Sequence, residues 1–322
     1  MSKFVAAVKG FAVEALPLRF GKQINLPIEG VQICDIGANL VDEMFLGVYN
    51  EKQRHEPDLL QVLERAKAMN VNKIVCTAGS MDDSRKTLDL LRSQADPTST
   101  TSTSCSLSSS FGLTCTVGVH PTRSDEFKID QMTPEEHEEW IALSPQEKET
   151  QSMAESELRA DKDKDELALD VEAIDKAALR MAVDESRVIR ALRDMILEGN
   201  NVGNSEEEDE VRMVVAVGEC GLDYARLRYC SKERQKEGFV KQLYLASELS
   251  LPLFLHSRDT DGDFLRIFRQ HADTLFAHTG KPLRGVVHSY DGNIEEMLQL
   301  CELGLFIGTT CICMILTLTF RL

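Results

Sequence analysis

The sequence lacks the short, repeated cysteine spacings that staple small secreted domains or bind zinc. Its nine cysteines are scattered, and the closest pair, Cys311 and Cys313, has one residue between them. That spacing suits neither a disulfide nor a zinc ribbon. The N-terminus also has no hydrophobic secretory segment followed by a small-residue cleavage site. We therefore expect a reduced, intracellular protein of the nucleus or cytoplasm.

Apolar segments long enough to cross a membrane are also missing. The apolar tail, residues 311–322, is shorter than the ~20 residues of a spanning helix, so no membrane partner is predicted. Hydrophobic residues make up 43% of the 322 residues, which is enough to form one large α/β domain or two small ones. Residues 1–30 read as an N-terminal extension, in which a weak basic bias leaves a mitochondrial presequence as the alternative.

The formal net charge of −17 is confined to one segment of the chain. Residues 125–210 hold 27 of the 53 acidic residues and 10 of the 36 basic residues, which leaves 26 of each sign elsewhere. The remainder can therefore still bind nucleic acid, which depends on local Lys and Arg. Within 125–210, helical patterns at 154–160 and 167–197 accompany the charge. We expect an acidic helical insertion outside the core fold, dispensable for folding and open to a protein partner.

Short β-branched runs alternate with helical patterns through the rest of the sequence. Strands are predicted at 31–36, 73–76, 113–120, 211–217, 251–255, 284–287 and 305–308. Helices are predicted at 57–69, 84–91, 234–250, 262–270 and 294–303. This alternation is typical of parallel βα units. The expected fold is an α/β, TIM-like (β/α) barrel over residues 31–310, with seven visible strands and no recognisable strand eight.

Three potential metal ligands occupy equivalent positions in successive βα units. Glu219 follows the fourth strand, His256 ends the fifth and His288 ends the sixth. The carboxyl ends of barrel strands share one rim, so these side chains should converge. A carboxylate with two imidazoles suits Mg²⁺, Mn²⁺ or Zn²⁺, and such a site indicates metal-assisted hydrolysis. A lone histidine at a strand end is more often a hydrogen-bonded core residue, but three together favour a metal site.

Five segments resemble the motifs of the TatD deoxyribonuclease family, in the family's order. They are Asp-Ile-Gly-Ala-Asn-Leu at 35–40, Gly-Val-His-Pro-Thr at 118–122, Gly-Glu-Cys-Gly-Leu-Asp-Tyr at 218–224, Leu-Pro-Leu-Phe-Leu-His-Ser-Arg-Asp at 251–259 and Val-His-Ser-Tyr-Asp-Gly at 287–292. The resemblance covers residues 31–123 and 211–310. It implies a metal-dependent hydrolase that cleaves DNA phosphodiester bonds as a 3′-5′ exonuclease.

The resemblance also implies roles for individual residues. Glu219, His256 and His288 would bind the metal, and Glu219 could bridge a second ion and act in catalysis. His120 would lie beside the site as a catalytic residue or a contact to substrate phosphate. Arg258 would bind substrate, and its alternative is a rim ion pair with Asp259 or Asp223.

The sequence departs from the family pattern at two places. Gly37 and Asn39 stand where many relatives carry a His-x-His pair, although some have Gly and Asn; Asp35 is a possible compensating carboxylate. The family's Glu-Thr-Asp-Ala-Pro motif of strand eight, whose Asp is a ligand and base, has no counterpart after Gly308. Two other functions therefore stay open: a catalytically impaired interaction protein, and an amidohydrolase-like esterase or amidase.

Overall fold

The computed structural model describes residues 32–95, 112–158, 168–200 and 212–308. The predicted N-terminal extension at 1–30 and the tail at 311–322 lie outside these residues, as does the acidic run 206–210.

A seven-stranded parallel sheet forms the centre of the molecule. In chain order the strands are β1 (Ile33–Ala38), β2 (Val48–Tyr49), β3 (Lys52–Gln53), β4 (Val71–Cys76), β5 (Gly112–Val117), β6 (Val214–Asp223), β7 (Leu253–Arg258), β8 (Gly285–Val287) and β9 (Leu305–Ile307). The sheet order is β1-β4-β5-β6-β7-β8-β9, with every pair parallel. Each predicted strand is present, and the α/β barrel-type fold is confirmed. Within the described residues, β1 and β9 are the two edges of this sheet.

Helices lie between the strands and cover the sheet. They are α1 (Leu59–Ala68), α2 (Met81–Ala95), α3 (Pro134–Ala142), α4 (Pro145–Leu158), α5 (Lys176–Glu185), α6 (Arg187–Asn200), α7 (Lys232–Leu249), α8 (Asp263–Thr279) and α9 (Ile294–Glu302). The ends follow local capping signals: Ser231 accepts from the backbone N–H of Arg234 to begin α7, and Ser250 ends it in a left-handed conformation. Helices α2 and α8 extend beyond their predicted bounds.

The core is densest where α6 and α7 pack against β5 and β6. Val117, Val214 and Val217 on these strands are fully buried, as are Phe239 and Leu243 on α7. The second half of β5 and most of β6 are buried, as expected for parallel strands that are covered on both faces. Such a rigid centre fixes the positions of the strand ends, where the candidate site lies.

The expectation that residues 125–210 lie outside the barrel is wrong for both ends of that segment. Phe127 and Ile129 are buried within the 3-10 helix Pro121–Gln131. At the other end, Ile189 and Leu192 on α6 have no exposed surface. Helix α6 is therefore a core helix between β5 and β6, in the place that a βα unit requires. The sequence analysis missed this because dense charge on the exposed face of α6 masked its apolar stripe.

A buried ion network ties the same segment to α7. Lys241 Nζ lies 2.7 Å from Asp130 Oδ2 and 2.8 Å from Glu237 Oε1, and Glu237 also pairs with Arg234 at 2.6 Å. Asp130 in addition accepts the backbone N–H of Arg187 at 2.8 Å, at the first turn of α6. Charges this deep are stable only when paired, so Asp130 and α7 hold each other in place. An acidic helical insertion between these anchors stays a prediction.

Two smaller features complete the fold. Strands β2 and β3 form an antiparallel hairpin, which the sequence analysis did not predict because its two-residue strands are too short to show an alternating pattern. In the part of the chain that the structure describes, no helix is both long and apolar enough to cross a membrane.

Candidate active site

Three adjacent strands carry Glu219, His256 and His288 to one point. Glu219 lies in the second half of β6, His256 lies in β7, and His288 follows β8 directly. One ligand atom from each lies within 4.8 Å of the others, which meets the geometric requirement for a shared cation. The convergence expected from equivalent positions in the βα units is therefore present in the structure.

An irregularity in β6 turns Glu219 toward its partners. The pairing of β6 with β7 shifts register between Gly218 and Cys220, so Glu219 is an extra residue in the ladder. Such bulges redirect side chains next to functional sites. Gly218 has φ of 146°, and a Cβ there would lie 2.2 Å from the Phe254 carbonyl oxygen, so only glycine fits.

The Glu219 carboxylate lies at the centre of the site, close to three histidine side chains. Its Oε1 atom lies 3.0 Å from His256 Nδ1 and contacts His288 Nε2 directly. His120 Nε2 is 3.5 Å from the same oxygen. All four side chains are between 13% and 16% exposed, so the cluster is sheltered but open to solvent on one side.

His256 has a second carboxylate on its other side. Asp223, the last residue of β6, is completely buried, and its Oδ2 lies 3.3 Å from His256 Nε2. Arg226 Nε is 3.8 Å from the same oxygen, beyond hydrogen-bonding distance. Asp223, His120 and His256 also form a group with ligand atoms within 4.8 Å of one another. His256 thus lies between two carboxylates.

The charges in this cluster are strongly coupled. Burial lowers the pKa of His120 to about 4, so this ring is neutral at pH 7. Burial also opposes a charge on His256, but its contacts with Asp223 and Glu219 outweigh that effect and raise its pKa to about 9. Burial alone would raise the pKa of Glu219, yet its interactions with His288, His120 and His256 hold that pKa well below the usual value. The site favours a positive charge between two ionised carboxylates.

Neighbouring groups fix the rings of the other two histidines. His120 Nδ1 lies 2.8 Å from Thr122 Oγ1 and accepts the backbone N–H of Thr122 at the start of the 3-10 turn. The ring of Phe254 stacks on His288, with centroids 4.6 Å apart and planes at 18°. His288 Nδ1 contacts Ser289 Oγ, which leaves Nε2 directed at Glu219. Each imidazole therefore presents a defined nitrogen to the centre.

The residues present fit a divalent cation. Three polar atoms at the site are buried: both carboxylate oxygens of Asp223 and Nε2 of His256. None of these three atoms forms a well-aligned hydrogen bond with a described residue. Buried polar groups without partners are rare in folded proteins and call for a compensating group. One carboxylate and two imidazoles are donors that suit Mg²⁺, Mn²⁺ or Zn²⁺.

The other residues singled out in the sequence lie nearby but play no direct part in the cluster. Arg258 is exposed at the end of β7, and no described residue forms an ion pair with it, so the alternative rim pair with Asp259 or Asp223 is not formed. Asp35 is buried and accepts the backbone N–H of Gly37 at 3.0 Å. Neither metal-ligand group among the described residues includes Asp35. The compensating role considered for Asp35 therefore has no support in the geometry.

Two contributors went unassigned in the sequence analysis. Asp223 was considered as a rim ion-pair partner of Arg258 and not as a neighbour of the metal ligands, although it shares the rim with Glu219, four residues earlier on the same strand. Phe254 was included in the predicted strand 251–255 without any role at the site. The signal for Asp223 was available, since an acid at the carboxyl end of a barrel strand faces the site. No sequence signal identifies the stacking of Phe254 on His288, which depends on the pairing of β7 with β8.

Comparisons with known proteins match this architecture. The family profile described as TatD related DNase matches residues 193–317. The chain is 30% identical over 281 residues to the "Deoxyribonuclease Tat-D" of Schizosaccharomyces pombe, covering 87% of this chain and 64% of the yeast protein. It is 43% identical over 97 residues to the "3'-5' ssDNA/RNA exonuclease TatD" of Yersinia pseudotuberculosis, covering 30% of this chain and 34% of that protein.

A solved structure shares the fold as well. The crystal structure of a hydrolase TatD family protein from Entamoeba histolytica superposes with a TM-score of 0.54 at 27% identity, covering 86% of this chain and 64% of that one. The chain thus spans somewhat less than two thirds of the length of these two relatives from yeast and Entamoeba. The segment that matches the family profile, residues 193–317, includes Glu219, His256 and His288. In its parallel sheet, its clustered rim residues and these matched segments, the chain is similar to the TatD related DNases.

Proposed function

We propose that the chain is a metal-dependent deoxyribonuclease that hydrolyses DNA phosphodiester bonds, with a 3′-5′ exonuclease direction. The observation that carries this proposal is the convergence of Glu219, His256 and His288 within 4.8 Å at the carboxyl rim of the sheet. The names of the relatives from yeast and Yersinia support DNA as the substrate. Mg²⁺ or Mn²⁺ is the proposed ion, with Zn²⁺ as an alternative that the same donors accept.

In this proposal the side chains have separate tasks. Glu219 would supply the anionic ligand, and Nδ1 of His256 and Nε2 of His288 would supply imidazole donors on either side of it. The ion would displace the additional proton that His256 otherwise carries between the two carboxylates. A divalent ion held there screens phosphate charge and acidifies water. Neutral His120, 3.5 Å from Glu219, is placed to hydrogen-bond a phosphate oxygen or the attacking water. Arg258, which is exposed at the end of β7, would contact the DNA strand.

Calorimetric titration with Mn²⁺ tests the metal site directly. We expect binding to the wild-type chain, and in Glu219→Ala and His288→Ala a loss of affinity larger than the roughly 10- to 100-fold typical of an outer partner. Glu139→Ala and His55→Ala replace residues of the same types outside the site and should bind as the wild type does. Unchanged affinity in the two site variants would contradict the proposal.

A second assay tests the substrate. Single-stranded DNA with a free 3′ end, the same strand with a blocked 3′ end, and a p-nitrophenyl ester are compared with and without Mn²⁺. The proposal requires metal-dependent shortening of the free strand alone. Hydrolysis of the ester in preference to DNA would favour the amidohydrolase-like alternative, and metal binding without any hydrolysis would favour an interaction protein.

A further inference from the structure

Asp223 occupies a position that the proposed metal site does not itself explain. Its side chain is completely buried at the end of β6, and in the described residues neither oxygen forms a well-aligned hydrogen bond. A buried ionised carboxylate without a partner is strongly destabilising. The nearest donor is His256 Nε2, 3.3 Å from Oδ2. The buried Asp223 carboxylate therefore destabilises the fold, and a hydrogen bond with His256 would offset that loss of stability.

His256 presents different nitrogens to its two neighbours. Its Nδ1 faces Glu219 at 3.0 Å, within the group that includes His288, while its Nε2 faces Asp223. A neutral imidazole has one lone pair and one N–H, so it can bind an ion through one nitrogen only. The proton then stays on the other nitrogen. The two ligand groups that share His256 are consequently alternatives for an ion.

Accessibility distinguishes the two alternatives. Glu219 and His288 are 16% and 13% exposed, so an ion between them can exchange with solvent and meet a phosphate. Asp223 is 0% exposed, which excludes contact with a substrate. A carboxylate that accepts the second N–H of a metal-binding histidine is a recurrent device that fixes the ring and its tautomer.

We propose that Asp223 is a positioning residue that accepts the Nε2–H of His256 and so leaves the Nδ1 lone pair for the ion between Glu219 and His288. The inference rests on the proposed metal site and deepens it. The hydrogen bond makes His256 a more basic ligand and prevents the ring from rotating away from Glu219. It also gives the buried Asp223 carboxylate the donor that it lacks.

Mn²⁺ calorimetry with Asp223→Asn and Asp223→Ala tests the positioning role. We expect one ion per chain in all three proteins, with affinity roughly 10- to 100-fold lower in Asp223→Ala and an intermediate value in Asp223→Asn, because the amide oxygen still accepts a hydrogen bond. Asp125→Asn removes another buried carboxylate, one that pairs with Lys128 at 2.6 Å, and should leave the affinity unchanged. A wild-type stoichiometry of two that falls to one in Asp223→Ala would make Asp223 a ligand and overturn the proposal.

Nuclear magnetic resonance of the ¹⁵N-histidine-labelled protein with Zn²⁺ observes the His256 ring while Asp223 is still present. The His256 signals, assigned by their loss in His256→Asn, should show the proton on Nε2 and slow exchange of that proton. A proton on Nδ1 would refute the inference. If this tautomer is found but DNA is not hydrolysed, the proposed function fails and the inference stands. If DNA is hydrolysed and both Asp223 variants bind Mn²⁺ as the wild type does, the inference alone fails.

Discussion

Replacing Leu192 by alanine tests whether helix α6 belongs to the cooperative core. Leu192 has no exposed surface and lies on α6 between buried Ile189 and Ile196. The substitution removes three carbon atoms, worth about 2.4 kcal/mol at about 0.8 kcal/mol each. The cavity left in a tightly packed region adds to this loss, which gives about 3–4 kcal/mol in total. The expected decrease in the free energy of unfolding is therefore far larger than for a surface position.

Leu197→Ala is the matched control on the same helix. Leu197 is 44% exposed, so its truncation should change stability by less than about 1 kcal/mol. Both variants make the same residue change in one helix, so the difference in helix propensity cancels. The assay is urea unfolding followed by circular dichroism, in which the midpoint of Leu192→Ala should be lower by roughly 1 M.

The refuting result is a Leu192→Ala midpoint equal to that of Leu197→Ala. That outcome would indicate that residues 125–210 are a separable insertion after all. A chain that joins Glu126 to Arg212 through a short linker would then still unfold cooperatively. The structure predicts the opposite for that deletion. It would remove the buried Ile189 and Leu192 and leave Lys241 without Asp130. We expect the deleted chain to lose its cooperative transition.

Three further predictions concern pH, buried charge and catalysis. Burial, with a smaller contribution from a nearby lysine, lowers the pKa of His271 from 6.5 to about 4. The contribution of the neutral His271 ring to the free energy of unfolding is therefore complete above pH 6.5 and is lost as the pH falls toward 4. His271→Leu should reduce the loss of unfolding free energy between pH 7 and 4.5 by on the order of 2–3 kcal/mol, measured from urea midpoints. Lys241→Ala removes the buried ammonium group that pairs with Glu237 and Asp130, and it should cost about 3–5 kcal/mol. Lys86→Ala at an exposed pair should cost less than about 1 kcal/mol, and equal effects would contradict the buried network. A chimera continued after Gly308 by a Thr-Asp-Ala-Pro segment and a helix should hydrolyse DNA on the order of 10²- to 10⁴-fold faster than residues 1–322, and equal rates would show that another acid already acts as the base.

The sequence determined the strand order and the place of the site. The strands of the parallel sheet are short runs rich in β-branched or other apolar residues, and such runs can be recognised from the local sequence. Because all parallel strands end at one rim, Glu219, His256 and His288 could be grouped from their positions in successive units alone. The family resemblance rested on the same segments. These features follow from residues close together in the chain.

Tertiary structure decided the features that depend on distant partners. The bulge that turns Glu219 inward exists only in the pairing of β6 with β7, and the contact of Asp223 with His256 spans 33 residues of sequence. Asp130 reads as one acid among many until Lys241, 111 residues away, is placed beside it. Charge density alone therefore suggested a separate insertion, while burial showed that α6 belongs to the core. A local sequence pattern indicates the secondary structure that a segment favours, but tertiary packing determines which distant residues contact that segment.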